Sequence, residues 1–315
     1  MSAATPDAGL GRAGGAAQGY LLVAGSFLIM GLIGALVDWA TAPESALLVI
    51  RFATAGLVLG VVFARRRPLA GAGAPGVWPR LLVMGLLDAF TLLLFFVAIR
   101  GTSVALGMFL QFLAPVWVAL LAPRVFRVPT ERIVYPALAV ALGGLVVILA
   151  PSLLGEGIRL SAGGVAAGLA AGIGYAVFQL VVKDLTRRVS AVTIVFTEAW
   201  LDALILLPLA LWQTVGSGYH LTTRDLVAGV ILGVVCTALA YMMWTFGMGR
   251  IKVQHSAILG YLEPVSAPLY ALLLLGQGIS VWTVIGGALI VAAGLLVVLL
   301  GEHEEEGATS LEPAP

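Results

Sequence analysis

Charged residues are scarce in this chain. Only 10% of its 315 residues are Asp, Glu, Lys or Arg, whereas 61% are hydrophobic. A soluble domain carries about 25% charged residues, so this composition excludes a water-exposed globular surface. The formal net charge is only +1, and the charge balance therefore gives no reason to expect a nucleic-acid partner.

Cysteine and histidine are nearly absent as well. The single cysteine, Cys236, excludes a disulfide bond within the chain. The three histidines lie far apart, and neither a zinc-protease HExxH pattern nor a phosphate-binding GxxxxGK[ST] loop occurs. An enzyme needs a nucleophile with its base, a metal cluster or a cofactor site. We therefore predict a protein that is not an enzyme and that has no cofactor and no metal site.

Long apolar stretches dominate the sequence instead. A membrane-spanning helix needs about 20 mostly apolar residues, and ten such stretches occur. They are residues 19–38, 44–64, 80–99, 102–122, 133–151, 161–182, 191–213, 226–247, 254–275 and 280–300. Residues 1–18 and the acidic segment 301–315 are expected to be disordered tails. The predicted fold class is an all-α integral membrane protein with ten transmembrane helices.

The positions of Lys and Arg predict the orientation in the membrane. If both termini are cytoplasmic, thirteen of the 17 basic residues, Lys183 and Lys252 among them, lie on the cytoplasmic side. The opposite side holds Arg100, Arg159 and Arg224. Because cytoplasmic loops carry an excess of basic residues, we expect both termini in the cytoplasm. The expected location is the cell membrane, which for a bacterium is the inner membrane.

The two halves of the chain resemble each other. The stretch 107–121, which contains Pro115, corresponds to the stretch 256–270, which contains Pro264, 149 positions later. Each half holds five spans, an odd number, so residues 19–151 and 161–300 are predicted to form two inverted five-helix repeats. Secondary transporters are commonly built this way, with a site between the repeats. The two prolines are predicted to kink their spans and to act in gating.

Five ionisable residues lie inside the predicted spans. A charge in mid-membrane costs about 2.5–3.5 kcal/mol on insertion scales, so Arg51, Asp88, Glu198, Asp202 and Glu263 should face the interior of the bundle. Arg51 either bonds an acid or backbone carbonyls, which holds its helix in place, or contacts substrate. Glu263 either supports the proline kink or serves as a proton carrier or amine ligand. Glu198 and Asp202, one turn apart, either share a proton or line a wet vestibule.

Polar and aromatic residues recur at helical spacing on spans 3, 4, 6, 8 and 9. We predict that they line a central, substrate-binding cavity. The predicted lining consists of Asp88, Thr91, Met108, Gln111, Tyr175, Gln179, Tyr241, Trp244 and Glu263, with Arg51, Glu198 and Asp202 as charge partners or coupling residues. The alternative is that polar residues bond helix to helix, which contributes roughly 0.6 kcal/mol each. His255, at the end of span 9, is expected to be solvated.

Four stretches resemble the EamA-type members of the drug/metabolite transporter superfamily. They are residues 48–52 (LVIRF), 113–116 (LAPV) and 261–265 (YLEPV), together with the Gly-rich starts of spans 5 and 10. The resemblance covers essentially the whole membrane portion. It implies a ten-helix inverted-repeat transporter with cytoplasmic termini that exports small metabolites. Within that family the chain is similar to bacterial exporters of amino acids, including aromatic ones.

The charge pattern favours a zwitterionic substrate. Sugar phosphates need several buried bases, and only Arg51 qualifies in the sequence. One base with several acids and aromatic rings suits an amino acid, whose carboxylate lies near Arg51 or a helix N-terminus and whose ammonium group lies near an acid or an aromatic face.

We therefore expect a secondary transporter that exports amino acids, aromatic or apolar ones included, or similar neutral metabolites by alternating access. Its expected partners are that small-molecule substrate and the lipid bilayer, without nucleic acid. A monomer is sufficient, and an oligomer is left open. The alternatives are a multidrug exporter of cationic compounds and a passive metabolite channel.

Overall fold

All regular structure in the described part of the chain is helical. The structure is a computed structural model that describes residues 7–155 and 161–301. The helices are α1 (Asp7–Met30), α2 (Leu32–Trp39), α3 (Glu44–Val62), α4 (Val77–Gly101), α5 (Val104–Gln111), α6 (Ala114–Phe126), α7 (Val134–Gly155), α8 (Ala162–Leu185), α9 (Ala191–Ser217), α10 (Thr223–Ile231), α11 (Ala240–Met248), α12 (Val253–Leu259), α13 (Leu262–Leu275) and α14 (Val281–Leu300). A 3₁₀ turn (Ala64–Arg66) follows α3, and a π-helical segment (Leu232–Leu239) joins α10 to α11.

Ten stretches of this helical structure are long and apolar enough to cross a membrane, as predicted. They are Gly15–Trp39, Glu44–Val62, Val77–Gly101, Ala105–Phe126, Val134–Leu154, Ala162–Leu185, Ala191–Ser217, Thr223–Met248, Val253–Leu275 and Val281–Leu300. The predicted N-terminal tail needs a correction, because α1 already begins at Asp7. The helix of the first span extends back through residues 7–18, whose four alanines favour a helix and whose four glycines oppose it. Residues 1–6 and 302–315, which include the predicted acidic tail, lie outside the described residues.

The packing of the helices is consistent with the predicted inverted repeat. The second spans of the two halves, α3 and α9, pack along each other, and so do the last spans, α7 and α14. The contact of α4 with α8 has a counterpart in the contact of α11 with α1. Where α7 and α14 cross, a Cβ atom on Gly286 would lie only 2.4 Å from the carbonyl oxygen of Gly144, so the crossing requires a glycine.

Spans 4 and 9 are each broken near the middle. The break in span 4 separates α5 from α6, and the break in span 9 separates α12 from α13. Pro115 and Pro264 lie in the first turn of the helix that follows each break, where a missing backbone N–H leaves no hydrogen bond unmade. The predicted kinks are thus found, whereas gating at these positions stays a prediction.

Asp225 ties together the loops at one end of the bundle. Its carboxylate accepts hydrogen bonds from the backbone N–H groups of Thr41 and Ala42 at 2.8 and 3.0 Å. It also caps α10 through Thr222 and accepts a hydrogen bond from the Tyr219 hydroxyl at 2.6 Å. That last bond raises the pKa of the Tyr219 phenol. This end therefore has a rigid rim, and a large cavity opens beside it.

Candidate functional site

A cavity of about 560 Å³ is lined by helices from both halves of the chain. Its mouth lies where α2 ends, α3 begins and α4 ends, at Asp38, Glu44 and Arg100. The side chains of Glu44 and Arg100 are at least half exposed and lie 4.0 Å apart. In the predicted orientation, this mouth faces the outside of the cell.

Most of the residues predicted to line a cavity do line this one. They are Asp88, Thr91, Met108, Gln111, Tyr175, Gln179, Tyr241 and Glu263, together with Arg51 and the two kink prolines Pro115 and Pro264. The structure brings them together from α3, α4, α5, α6, α8, α11 and α13. Their part in binding a substrate stays a prediction.

The first span, which comprises α1 and α2, also lines the cavity, a contribution that was not predicted. Phe27 and Met30 of α1 and Gly34 of α2 are in the lining, as is Phe112, which follows α5. The three residues of the first span are spaced by three and four positions, the spacing of one helical face. That spacing is visible in the sequence and could have identified them.

Trp244 does not line the cavity, and its predicted place there is wrong. The indole ring is buried and stacks on Phe178, with the ring centroids 5.8 Å apart and 12° between the planes. Its Nε1–H donates to the Ser256 hydroxyl at 3.2 Å. Trp244 lies farther along α11 than Tyr241, where α11 packs on α1 and α8, so its ring fills the space between helices behind the wall.

Arg51 lies in the cavity wall and is bound by hydroxyl groups. Its Nε donates to Thr237 Oγ1 at 2.7 Å, and its Nη2 donates to the Tyr241 hydroxyl at 3.2 Å. Phe52 and Tyr241 also lie beside the guanidinium, at 5.1 and 5.6 Å from their ring centroids. A bond from Arg51 to an acid or a backbone carbonyl, one of the two roles expected for it, is not found among the described residues, where hydroxyl groups accept its hydrogen bonds instead.

The π-helical segment places the acceptor for Arg51. Thr237 belongs to this segment, and its own hydroxyl donates to the carbonyl of Leu232 at 3.1 Å. Gly233 allows the segment to approach α3, since a Cβ atom there would lie 2.5 Å from the carbonyl oxygen of Arg51. A π-helical turn inside a span is uncommon and often marks a functional site.

The three acids of α4 and α9 form one buried cluster. Asp88, Glu198 and Asp202 are 5%, 1% and 0% exposed, and one oxygen from each lies within 4.8 Å of the others. Asp88 reaches the cavity, whereas Glu198 and Asp202 lie behind its wall. The wet vestibule that was one interpretation of Glu198 and Asp202 is therefore excluded by their burial.

Glu263 reaches the cavity from the first turn of α13. The N-terminus of a helix carries a partial positive charge, which stabilises a carboxylate. The N-terminus of α6 likewise ends at the cavity, with Ala114 and Pro115 in its lining. Two half-helices therefore direct their positive ends at one central space, an arrangement that transporters use to bind anionic substrate groups.

The cavity is closed at its inner end by a pair of equivalent aromatic residues. Phe112 and Tyr261 are 149 positions apart, so each occupies the break in its own half. Their rings stack with centroids 6.1 Å apart, and the Tyr261 hydroxyl donates to the carbonyl of Phe112 at 2.7 Å. The two broken spans are therefore joined directly to each other below the cavity.

Two residues that the sequence placed at the surface are buried beyond this closure. His255, expected to be solvated, is 0% exposed, with Nδ1 2.6 Å from the Tyr20 hydroxyl and Nε2 3.4 Å from the carboxylate of Glu131. Lys183 is 2% exposed, and its Nζ donates to the carbonyls of Met248 and Ile251. Lys183 is thus a second buried base, but it does not line the cavity.

Comparison with known proteins agrees with this architecture. Residues 17–150 and 162–299 match the EamA-like transporter family. An uncharacterized transporter of Archaeoglobus fulgidus is 30% identical over 218 residues, which are 69% of this chain and 75% of that protein. A probable terminal-alkyne amino-acid exporter of Streptantibioticus cattleyicolor is 26% identical over 130 residues, 41% of this chain and 43% of that protein. One crystal structure shares the fold, with a TM-score of 0.76 at 19% identity over 91% of this chain and 99% of that chain. The protein is a multi-pass membrane protein and belongs to the EamA-like transporter family.

Proposed function

We propose that this transporter exports small zwitterionic metabolites, most of all amino acids with aromatic or apolar side chains, by alternating access. The observation that carries the proposal is the charge arrangement of the cavity. Away from the mouth, where Asp38, Glu44 and Arg100 lie, the charged residues among the described lining are one guanidinium, Arg51, and two acids, Asp88 and Glu263, in an apolar and aromatic chamber. The exporter from Streptantibioticus cattleyicolor, whose name specifies an amino acid, supports the same substrate class.

The carboxylate of an amino acid would bind at Arg51. A guanidinium has five N–H donors, and Thr237 and Tyr241 use two of them in the described part of the chain. The remaining donors are available to a substrate, and a guanidinium fits a carboxylate through two parallel hydrogen bonds. The two hydroxyls hold Arg51 in place and leave its positive charge intact, whereas a carboxylate partner would neutralise that charge.

The ammonium group and the side chain of the substrate would find their partners elsewhere in the same chamber. Asp88 and Glu263 supply negative charge, and the faces of Tyr175 and Tyr241 attract a cation. Phe27, with the other apolar groups of the wall, would surround an apolar side chain. A volume of about 560 Å³ lies within the usual range of about 300–1,000 Å³ for small-molecule sites.

Alternating access requires that the site open to one side at a time. The present state has a mouth at Glu44 and Arg100 and a closure at Phe112 and Tyr261. With cytoplasmic termini in the cell membrane, as the basic residues predict, this is the outward-open state. The inward-open state would close the mouth and separate the aromatic pair.

A multidrug exporter of cationic compounds is the second candidate, and the apolar walls with Asp88 and Glu263 favour it. Arg51 counts against it, because the described residues give this guanidinium no ion-pair partner and its positive charge in the wall repels a cation. A passive channel is disfavoured by the closure at Tyr261, since a channel needs one path open at both ends.

Counterflow in liposomes tests the proposal. Purified protein is reconstituted into vesicles loaded with unlabelled compound, and accumulation of the labelled compound is measured. The panel consists of phenylalanine, leucine, glutamate, lysine, a nucleoside and a cationic dye. We expect accumulation of phenylalanine and leucine above that in protein-free vesicles. Accumulation of the dye alone would contradict the proposal and favour multidrug export.

A further inference from the structure

Three carboxyl groups meet in the interior of the bundle with too little positive charge around them. Asp88, Glu198 and Asp202 lie within 4.8 Å of one another and are at most 5% exposed. In the described residues, no Lys, Arg or His forms an ion pair with any of the three. Three carboxylates in a membrane interior would leave a large uncompensated charge, which is too costly to persist.

The cluster also lacks hydrogen-bond donors from the protein. Both oxygens of Glu198, both oxygens of Asp202 and Oδ2 of Asp88 accept no hydrogen bond from an N–H or hydroxyl group of the described residues. One oxygen of Asp88 nevertheless lies within 4.8 Å of one oxygen of Asp202. Since a carboxylate oxygen is only an acceptor, a hydrogen bond between the two groups requires a proton on one of them. Glu198, buried and without a donor, lies beside this pair.

The charged and titratable groups on the neighbouring helices do not replace such protons. Arg51 on α3 acts on all three acids through space, but its two hydrogen bonds go to hydroxyl groups. Tyr175 on α8 and Tyr241 on α11 both lie within electrostatic range of Asp88 and Glu198 and carry no positive charge. Glu263 on α13 adds a further negative group and acts on Arg51 and Tyr175.

We propose that Glu198 and Asp202, together with Asp88, form a proton-binding site behind the cavity wall that couples substrate export to proton import. Asp88 belongs both to this cluster and to the cavity, so it connects the two. The three carboxyl groups can satisfy one another by sharing protons, because a protonated carboxyl group donates a hydrogen bond and a carboxylate accepts one.

The coupling follows from competition at Asp88. In the outward-open state, a proton from outside binds the Asp88 carboxylate and passes to the neighbouring carboxyl group of Asp202, with Glu198 as a second acceptor. In the inward-open state, an ammonium group that binds Asp88 favours release of one proton to the cytoplasm. Each cycle then moves one proton inward for each ammonium group moved outward, and no other bond is made or broken. That this ammonium group belongs to an amino acid rests on the proposed function.

Two transport assays on the same vesicles separate coupling from substrate binding. Counterflow without a gradient needs no net proton movement, whereas accumulation driven by a pH gradient does. The variants are Glu198→Gln and Asp202→Asn, with Asp184→Asn as the matched control. Asp184 is a half-buried carboxylate at the end of α8 that pairs with Arg80 and Arg188, away from the cavity.

We expect wild-type protein and Asp184→Asn to accumulate phenylalanine when a pH gradient is applied. Glu198→Gln and Asp202→Asn should retain counterflow and lose gradient-driven accumulation by about tenfold or more, a typical size for coupling between two sites. Unchanged gradient-driven accumulation in both variants would overturn the proposal. Accumulation driven by a sodium gradient instead of a pH gradient would overturn it as well.

Infrared spectroscopy tests the site without any substrate. Wild-type protein in a detergent without ester groups should show the carbonyl stretching band of protonated carboxyl groups at neutral pH. The double variant Glu198→Gln with Asp202→Asn should lose most of that band, and Asp184→Asn should keep it. The absence of the band from wild-type protein would overturn the proton site even if the variants fail to fold. If phenylalanine shows no counterflow but the band is present and behaves as expected, the proposed substrate is wrong and the proton site stands.

Discussion

The two ends of the central space differ in how their polar groups are used. At the closed end, the polar groups are bound to other parts of the protein. Tyr261 donates to the carbonyl of Phe112, and Lys183 donates to two backbone carbonyls. Trp244, behind the wall, donates to Ser256. Each of these bonds joins different helices or the segments beside them, so together they hold this end closed in the present state.

Around the cavity, several polar groups have hydrogen-bonding capacity to spare. Buried oxygens of Thr91, Gln111 and Gln179 accept no hydrogen bond in the described part of the chain, and Arg51 uses two of its five donors. A buried polar group without a partner costs about 1–3 kcal/mol of stability. A protein can keep such a group where a ligand supplies the missing hydrogen bond. Polar side chains thus join helices at the closed end, whereas those around the cavity keep hydrogen-bonding capacity that a ligand can use.

The largest effect on transport is expected at Arg51. Arg51→Gln removes the positive charge that binds the substrate carboxylate. A hydrogen bond to a charged group contributes about 1.5–3 kcal/mol, so the KM for phenylalanine counterflow should rise about 10- to 100-fold. Arg224→Gln is the control, because Arg224 lies over the ring of Trp39 and does not line the cavity. An unchanged KM in folded Arg51→Gln would remove Arg51 from the site.

At the closed end, the corresponding change should affect stability and leave binding intact. Lys183→Met leaves the carbonyls of Met248 and Ile251 without this buried donor. We expect the free energy of unfolding to fall by about 1–3 kcal/mol for each unsatisfied group. This loss should appear as a lower Tm in detergent, and the KM for phenylalanine should stay unchanged. Arg188→Met is the control, since its ion pair with Asp184 is exposed to solvent and exposed pairs contribute about 0–1 kcal/mol. A changed KM with an unchanged Tm would place Lys183 in the transport machinery.

A smaller effect is expected where the two broken spans meet. Tyr261→Phe removes the hydrogen bond to Phe112, worth about 1 kcal/mol, and so should favour the inward-open state by about fivefold. The readout is the rate at which a thiol reagent added from the cytoplasmic side labels Ile258→Cys in a Cys236→Ala background. Tyr135→Phe, at an exposed site on α7, should leave that rate unchanged. Equal labelling rates with Tyr261, with Tyr261→Phe and with Tyr135→Phe in this background would show that the hydrogen bond does not hold the closure.

The smallest effect separates two aromatic residues that are one helical turn apart. Trp244→Phe removes the bond to Ser256 behind the wall, so it should lower the Tm slightly and leave the KM unchanged. Tyr241→Phe removes a hydroxyl that holds Arg51 in the wall, so it should raise the KM about fivefold, as expected for one hydrogen bond of about 1 kcal/mol. Comparing the two KM values checks the boundary of the cavity. A larger rise in KM for Trp244→Phe than for Tyr241→Phe would mean that Trp244 contacts the substrate.

Much of this arrangement could be predicted from sequence because it depends on local patterns. Apolar length identified the ten spans, and helical spacing brought Thr91 of α4 to the same surface as Asp88. Pro115 and Pro264 marked the two broken spans, since proline removes a backbone donor and fits best in a first helical turn. These features follow from residues that are near one another in the chain.

The remainder depends on contacts between distant segments. Tyr20 and His255 are 235 positions apart, and no local pattern indicates that they meet. Lys183 appeared to be a loop residue because it lies at the edge of a span, but its ammonium group turns toward carbonyls near α11. The π-helical segment brings Thr237 to Arg51, and a regular helical period does not predict such a segment. The acid cluster likewise needs the packing of α4 against α9.

The proposed substrate class requires that the protein recognise both charged ends of a zwitterion, and competition binding examines each end separately. Labelled phenylalanine bound to purified protein is displaced with unlabelled phenylalanine, with phenethylamine, which lacks the carboxylate, and with 3-phenylpropionate, which lacks the amine. We predict that each analogue competes at least about tenfold more weakly than phenylalanine, since each loses a charged hydrogen bond. In Arg51→Gln, phenylalanine should lose its advantage over phenethylamine. Displacement by phenethylamine as strong as that by phenylalanine in the wild-type protein would contradict the account.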